Sequence, residues 1–336
     1  MKSLIILLSS CFIIISCDDS STDYLEETTK SIQKQSVVFI AGTDEGDNSF
    51  YKNTKAHFSQ QNITIVKDLH TLDAIILWLN NNADSKVYDQ IHIVSYSNPW
   101  RGMALLTSED GERITATSLK NRTLPKLNGG ITENTKIIFH SCGLGANKNL
   151  MKGLKLAFSS DVTPTLYASE YYNVFGGKYA SHYLAQPFYV FYPTANSPGN
   201  KMLSQEIAMK YPNANLDWLT ALDTQEERTS GAIYSYRFNI PIDWEFVFED
   251  ASETPHLDNT DRIIDYILEN EECSFVLYEL GIPMEKFRWT SRSEGNVLKI
   301  QGKTTVLTVL MPLMNTYEPA EYTAPDITHA RLYSQF

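Results

Sequence analysis

Cys142 and Gly143 follow the apolar run Ile137-Ile138-Phe139-His140-Ser141, and Leu144-Gly145 leads on into a segment of helical spacing. A thiol between a strand and a helix suits nucleophilic work, because a helix N-terminus favours the thiolate and lowers its pKa. Main-chain N–H groups at Cys142 and Gly143 could stabilise an oxyanion, and the glycine lets a substrate backbone come close. The preceding strand, Ile91-His92-Ile93-Val94-Ser95, runs into Tyr96-Ser97-Asn98-Pro99-Trp100-Arg101. His140 is the nearest imidazole in sequence, on the same strand face as Cys142. Strand spacing puts their Cβ atoms about 7 Å apart, so direct proton exchange needs a bend. A bland reading stands beside the reactive one: Cys142 as a buried structural cysteine, with His140 and His92 as core histidines.

These residues need elements to position them, and the pattern from Ser36 supplies them. Val37-Val38-Phe39-Ile40-Ala41 is a continuous apolar run closed by Gly42, the signature of a strand buried on both faces. A helix over 49–60, a strand over 63–66 and a helix opened by Thr71-Leu72-Asp73 follow, the last with Leu72, Ile75, Ile76 and Leu79 on one face. Strands over 91–95, 137–141 and 165–169 complete the alternation, with a helix between the last two carrying Leu150, Leu154, Ala157 and Phe158 on one face. The expected fold class is α/β, a mostly parallel sheet with helices on both faces. Functional groups in such sheets gather at the carboxyl ends of the strands. Near 224–230 the alternation changes: half-exposed strands over 234–238 and 244–248, helices from Asp261 and strands over 297–300 and 304–309 predict a smaller C-terminal α+β region. The expected boundaries are 36–225 for the α/β domain and 226–336 for that appendage.

The order of elements around Tyr96 and Cys142 resembles the caspase-like cysteine peptidases, the clan that includes caspases, gingipains, clostripain and CHAT domains. In that family one strand ends in His-Gly and the next in a nucleophilic Cys. The resemblance covers roughly residues 36–222, and Tyr96 precedes Cys142 by 46 residues, against the ~50 that separate the caspase pair. It implies Cys142 as nucleophile, Gly143 as an oxyanion donor and the base at position 96. This chain departs from the family there: Tyr96 stands for the histidine and Ser97 for the glycine. A phenol with a reference pKa near ~10 is a poor general base at neutral pH. His140, or His182 if its loop folds back, are the weaker alternatives for the base.

Secondary binding candidates flank these strand ends. Asp44-Glu45-Gly46-Asp47-Asn48 is an acidic loop after the first strand; Asp44 and Asp47 could meet a basic side chain or a hard cation, or form a solvated turn. Trp100 and Arg101 are residue types that anchor partners, and a tryptophan also suits a core. Tyr167, Tyr171, Tyr172, Phe175, Tyr179 and Tyr183 make an aromatic segment, by default for packing. No phosphate-cradling glycine motif, Cys-x-x-Cys or His-Glu-x-x-His occurs, so neither a metal nor a cofactor is expected.

The N-terminus adds a location. Lys2 followed by the apolar run over 4–15 reads as a secretory signal peptide, too short to span a bilayer. Its end, Ile14-Ile15-Ser16-Cys17, resembles the lipobox of bacterial lipoproteins, which implies a 1–17 signal peptide and a lipidated Cys17 inserted in a bacterial membrane. Asp18-Asp19 resembles both the surface-export signal of some Bacteroidetes lipoproteins and an inner-membrane retention signal. The periplasmic and the cell-surface sides both stay open. Residues 18–35 read as an acidic, Ser/Thr-rich disordered tether. A Cys142–Cys273 disulfide is chemically allowed in that oxidising compartment, with isolated buried or reactive thiols the alternative.

Composition bounds the rest. The 336 residues, 43% hydrophobic, with 16 Gly, 13 Pro and 4 Cys, exclude collagen-like, disulfide-scaffold and wholly disordered classes. A net charge of −12 repels phosphate backbones, so nucleic acid is not an expected partner. The expectation is a lipid-anchored envelope protein whose degenerate caspase-like domain binds peptide or a protein partner with little or no turnover. Its rivals are an active cysteine peptidase with its base elsewhere and a structural or adhesion lipoprotein.

Overall fold

Residues 33–42, 49–83 and 86–336 are described by the structure, a computed structural model. The expected signal peptide, lipidated Cys17, most of the tether, and Asp44 and Asp47 lie outside the described residues. The apolar run becomes β1 (Lys34–Ile40), so regular structure starts two residues before Ser36, with Lys34 and Gln35 already paired to the third strand across a bulge. The chain continues through α1 (Ser49–Phe58), β2 (Thr64–Val66), α2 (Leu72–Asn81) and β3 (Val87–Val94). Thr71 caps α2 by accepting the Ala74 N–H, the role its hydroxyl suits at a helix start. A small antiparallel sheet then forms from β4 (Ser97–Asn98), β5 (Gly102–Leu106) and β6 (Arg113–Ile114), followed by α3 (Ala116–Lys120). The alternation resumes with β7 (Lys136–His140), α4 (Lys148–Phe158) and β8 (Thr165–Ala168).

These strands pair in the order β2-β1-β3-β7-β8, all parallel, and the C-terminal β14 (Ser334–Gln335) closes the edge antiparallel to β8. The protein is therefore α/β with a mostly parallel sheet flanked by helices. Reversal of strand order between β1 and β3 makes a topological switch point, where a crevice opens beyond the carboxyl ends. One face, with Val37, Phe39, Ile91, Ile93, Ile137 and Phe139, is covered by α2 and α4. On the other, Val38, Ile40 and Val94 meet Tyr51 and Phe58 of α1.

That second face is only partly covered by helix. Its remainder lies under a hairpin of β9 (Tyr172–Phe175) and β10 (His182–Pro193), Leu184 packing on Ile138. The chain goes on through α5 (Asn200–Lys210), α6 (Trp218–Asp223), β11 (Tyr234–Val247), α7 (Thr260–Glu269), α8 (Glu271–Leu280), β12 (Arg288–Glu294) and β13 (Val297–Pro312). The antiparallel sheet runs β11-β13-β10-β9, with β12 also on β13. It draws strands from both sides of the expected boundary at 225, and residues 33–336 form one unit. Local alternation cannot show this: β10 reaches β13 across more than a hundred residues of intervening chain. The paired short strands expected over 234–248 and 297–309 are each one long strand, because β13 runs the whole length of β11. Pro241 is tolerated within β11 because that strand is an edge. Among the described residues no helix is long and apolar enough to cross a membrane.

Candidate functional site at the ends of β3 and β7

Parallel pairing brings the two expected strand ends together. Val94 is opposite His140 in register, and two buried serines continue the pairing beyond the strands. Ser141 Oγ donates to the Ser95 carbonyl at 2.8 Å, and Ser97 Oγ to the Cys142 carbonyl at 2.8 Å. Tyr96 and Cys142 thus occupy neighbouring positions at one edge. The Tyr96 hydroxyl is hydrogen-bonded to that of Tyr236, which also neighbours Cys142. The Tyr96 ring meets Phe50 edge-on at 6.2 Å, and its main-chain N–H donates to Tyr51 Oη.

Cys142 is 4% exposed, packed among Tyr172, Tyr183, Ala185 and Leu310. Its thiol donates to the Asn173 carbonyl at 3.8 Å rather than to an imidazole. Burial pushes the thiol up to about 12, against a smaller opposing contribution from Asn173. Both Cys142 and Cys273 are free and buried, so they are not bridged.

The helix does not reach the thiol as its sequence suggests. Gly143 takes a left-handed φ of 69° and turns the chain into a 3-10 turn, Leu144–Ala146; α4 opens only at Lys148, with Asn147 as its cap. Helix-end stabilisation fades within the first turn, so it gives Cys142 little support. The Gly143 N–H donates to the Tyr171 carbonyl at 3.1 Å and would have to leave it to serve an oxyanion. The left-handed conformation, more than space, asks for glycine: an added Cβ would reach Tyr172 at 3.4 Å, an ordinary contact.

Trp100 and Arg101 follow Asn98, whose side-chain oxygen accepts both their N–H groups at 3.1 and 2.8 Å. The Trp100 ring packs edge-on against Tyr189 at 4.8 Å and Phe191 at 5.3 Å, which ties this loop to the antiparallel sheet. Arg101 is half-buried, and its carbonyl accepts from Arg113 Nε. An open cleft of about 440 Å³, lined by Pro99, Gly143, Ala146, Asn147, Lys148 and Asn149, lies over these strand ends. The Cys142 thiol does not line it.

His140 faces away from that chemistry. It joins His92 on β3, His57 on α1 and His182 on β10, so four of the seven histidines gather between the parallel sheet and its second cover. His140 Nε2 and His92 Nδ1 are 2.9 Å apart, and His92 Nε2 reaches Gln90 Oε1 at 3.1 Å. His182 stacks on Phe175 at 4.1 Å, its Nε2 3.1 Å from Asn173 Oδ1. His57 Nε2 is 2.9 Å from Gln61 Nε2 and its Nδ1 is 3.4 Å from Ser181 Oγ. Burial lowers all four: His92 to about 4, His182 to about 3, His140 and His57 in the same direction.

The sequence offers His92 and His140 as core histidines, with His140 and His182 as weaker alternatives for the base, and neither reading contains the cluster. Equal parity on neighbouring strands was the available signal for His92 with His140, while His57 and His182 arrive on elements whose docking no local pattern shows. The four rings line a cleft of about 310 Å³ together with Asp326 and Tyr333. Among the described residues no three His, Cys, Asp or Glu side chains are arranged to hold a metal ion.

Comparison with protein-family models, curated proteins and solved structures finds no match for this chain.

Proposed function

We propose that this chain is a non-hydrolytic, caspase-like domain that binds a peptide or protein partner over the ends of β3 and β7, tethered to a bacterial membrane through a lipid on Cys17. One observation carries the reading: the Cys142 thiol is sealed under Tyr172 and Tyr183, bonded to a carbonyl, and pushed up to about 12. The thiolate is the nucleophile, and burial keeps this thiol protonated at neutral pH. The Tyr96 hydroxyl, engaged with Tyr236, offers no base. What remains accessible is the cleft of Gly143, Asn147 and Lys148, whose lining offers a cation and side-chain amides to an extended backbone.

The test combines turnover and binding. A combinatorial library of fluorogenic peptides should show no cleavage above background, and iodoacetamide at pH 8 should leave Cys142 unmodified until the protein is unfolded. The same library, immobilised, should retain the protein, and Lys148→Glu should weaken that retention. Cleavage abolished by Cys142→Ala would establish the active peptidase instead. Absence of both cleavage and retention would leave a structural or adhesion lipoprotein.

A further inference from the structure

The hydrogen bonds among the four histidines can all be made with every ring neutral. Gln90 Oε1 can only accept, so His92 carries its proton on Nε2, and His92 Nδ1 accepts from His140 Nε2–H. His140 Nδ1 then keeps a buried lone pair that makes no hydrogen bond of normal geometry among the described residues, with the Asn173 side chain beside the ring. Asn173 Oδ1 likewise takes the proton of His182 Nε2, and Gln61 donates to His57 Nε2, leaving His57 Nδ1–H toward Ser181. A proton added to His92 Nδ1 faces the His140 N–H; once one ring is charged, protonating a neighbour places a second cation about a ring's width away, since His57–His182 and His140–His182 centroids lie 5.1 and 5.6 Å apart.

Little around the network could absorb that charge. The groups facing it are His57 from α1, Gln61 from the turn after that helix, Gln90 and His92 from β3, His140 from β7 and His182 from β10. The C-terminal segment adds Asp326 and Tyr333. The one carboxylate, Asp326, is exposed at the rim, where water screens it, with its Oδ1 accepting from Thr328, and no lysine or arginine lines the cleft.

Two residues that contact His182 also reach the strand-end site. Asn173 accepts His182 through its side chain and the Cys142 thiol through its main-chain carbonyl. Phe175, stacked on His182, also packs on Phe50, which covers Tyr96. We propose that the histidine layer is an acid-sensitive latch: neutral, it holds α1 and the β9–β10 hairpin on the parallel sheet, and protonated, it lets them go and uncovers Cys142 and Tyr96. The lowered pKa values of His92 and His182 fit such a layer, since the charged forms are excluded while it is closed. The inference rests on the strand ends being the functional site, but its readout is thiol exposure, which does not require that site to bind anything.

The experiment is labelling of the full chain with 4,4′-dithiodipyridine, a disulfide that still reacts with thiols in acid, followed by peptide mapping. Cys142 labelling should be slow at pH 7 and rise as pH falls below the ordinary histidine value, by up to about tenfold per pH unit for each proton taken up on opening. Cys273, on α8 and away from the latch, should stay unlabelled across the same range. His140→Asn should flatten the Cys142 response; should that variant not fold, His57→Gln, on the surface helix, should shift its midpoint to lower pH. A Cys142 rate that does not change between pH 7 and pH 4 overturns the latch. So does a parallel rise at Cys273, which would mean ordinary acid unfolding.

Discussion

Ser97 Oγ donates a 2.8 Å hydrogen bond to the main-chain carbonyl of Cys142, joining the ends of β3 and β7 where neither strand continues. With the Ser141–Ser95 bond it replaces the ladder that the strands have stopped providing. The sequence shows two adjacent strand ends with small hydroxyl residues; the structure gives those hydroxyls a task, holding two loops in register.

Removing that hydroxyl should therefore loosen this edge. Ser97→Ala leaves a buried carbonyl unsatisfied, which costs about 1–2 kcal/mol. Urea denaturation should show a lower midpoint at unchanged slope, and native-state hydrogen exchange should accelerate first around residues 95–98 and 141–145. Stability within experimental error of the parent would show that water replaces the bond and that the edge is held by packing alone.

Stability should depend on pH with a defined sign. The four histidines titrate lower when folded than the ~6.5 of an unfolded chain, so the unfolded state binds more protons below that value. Their contribution is fully present above about pH 6.5 and is lost as pH falls toward the folded values. His92 alone, at about 4 when folded, accounts for about 3 kcal/mol over that interval. Urea titrations at pH 7 and pH 5 measure the slope, and His92→Gln should reduce it by about 1.4 kcal/mol per pH unit, the value of one proton. An unaltered slope would locate the acid sensitivity elsewhere.

Glu227 should clamp the C-terminal segment. Its buried carboxylate accepts from Tyr322 Oη at 2.5 Å, the Gly231 N–H at 2.8 Å and Tyr183 Oη at 3.1 Å, so one side chain ties three parts of the chain together. Glu227→Ala strands these donors and should cost about 3 kcal/mol, within the range for charged hydrogen bonds. Limited proteolysis should then cut between residues 314 and 322 well before global unfolding. Retained resistance there would mean that the Met314–Tyr322 bridge suffices to hold the segment.

How much of this was legible depended on the range of the interaction. β1, α2, β7 and α4 could be read because each carries its own apolar period, and the pairing of β3 with β7 follows from a parallel sheet. The approach of Tyr96 to Cys142 was legible for the same reason. The burial of Cys142 is one of two readings the sequence allows, and what decides it is long-range: Tyr172 and Tyr183 reach the thiol on a hairpin that belongs to the antiparallel sheet. The loss of the helix end was not legible, because Gly143-Leu144-Gly145 reads equally as a helix start and as the 3-10 turn it forms. The histidine cluster needs two separate elements, α1 and β10, to dock on β3 and β7, which no spacing along the chain encodes.

The longest strand offers the sharpest packing test. Gly302 lies directly opposite Trp289 on β12, and a Cβ built on it would fall 2.2 Å from the indole ring. The ring cannot simply swing away: Trp289 Nε1 donates to the Met284 carbonyl at 3.0 Å, and Trp244 and Phe287 stack beside it. Gly302→Ala should therefore cost about 1–3 kcal/mol through overpacking, although alanine favours the strand backbone more than glycine does. Trp289→Leu makes room for the methyl group, so the double variant should be more stable than the sum of the two single losses implies, by about 1 kcal/mol. Guanidinium denaturation of the four proteins measures the coupling. Additive losses would mean that the indole shifts within its pocket and that glycine at 302 serves the β13 backbone instead.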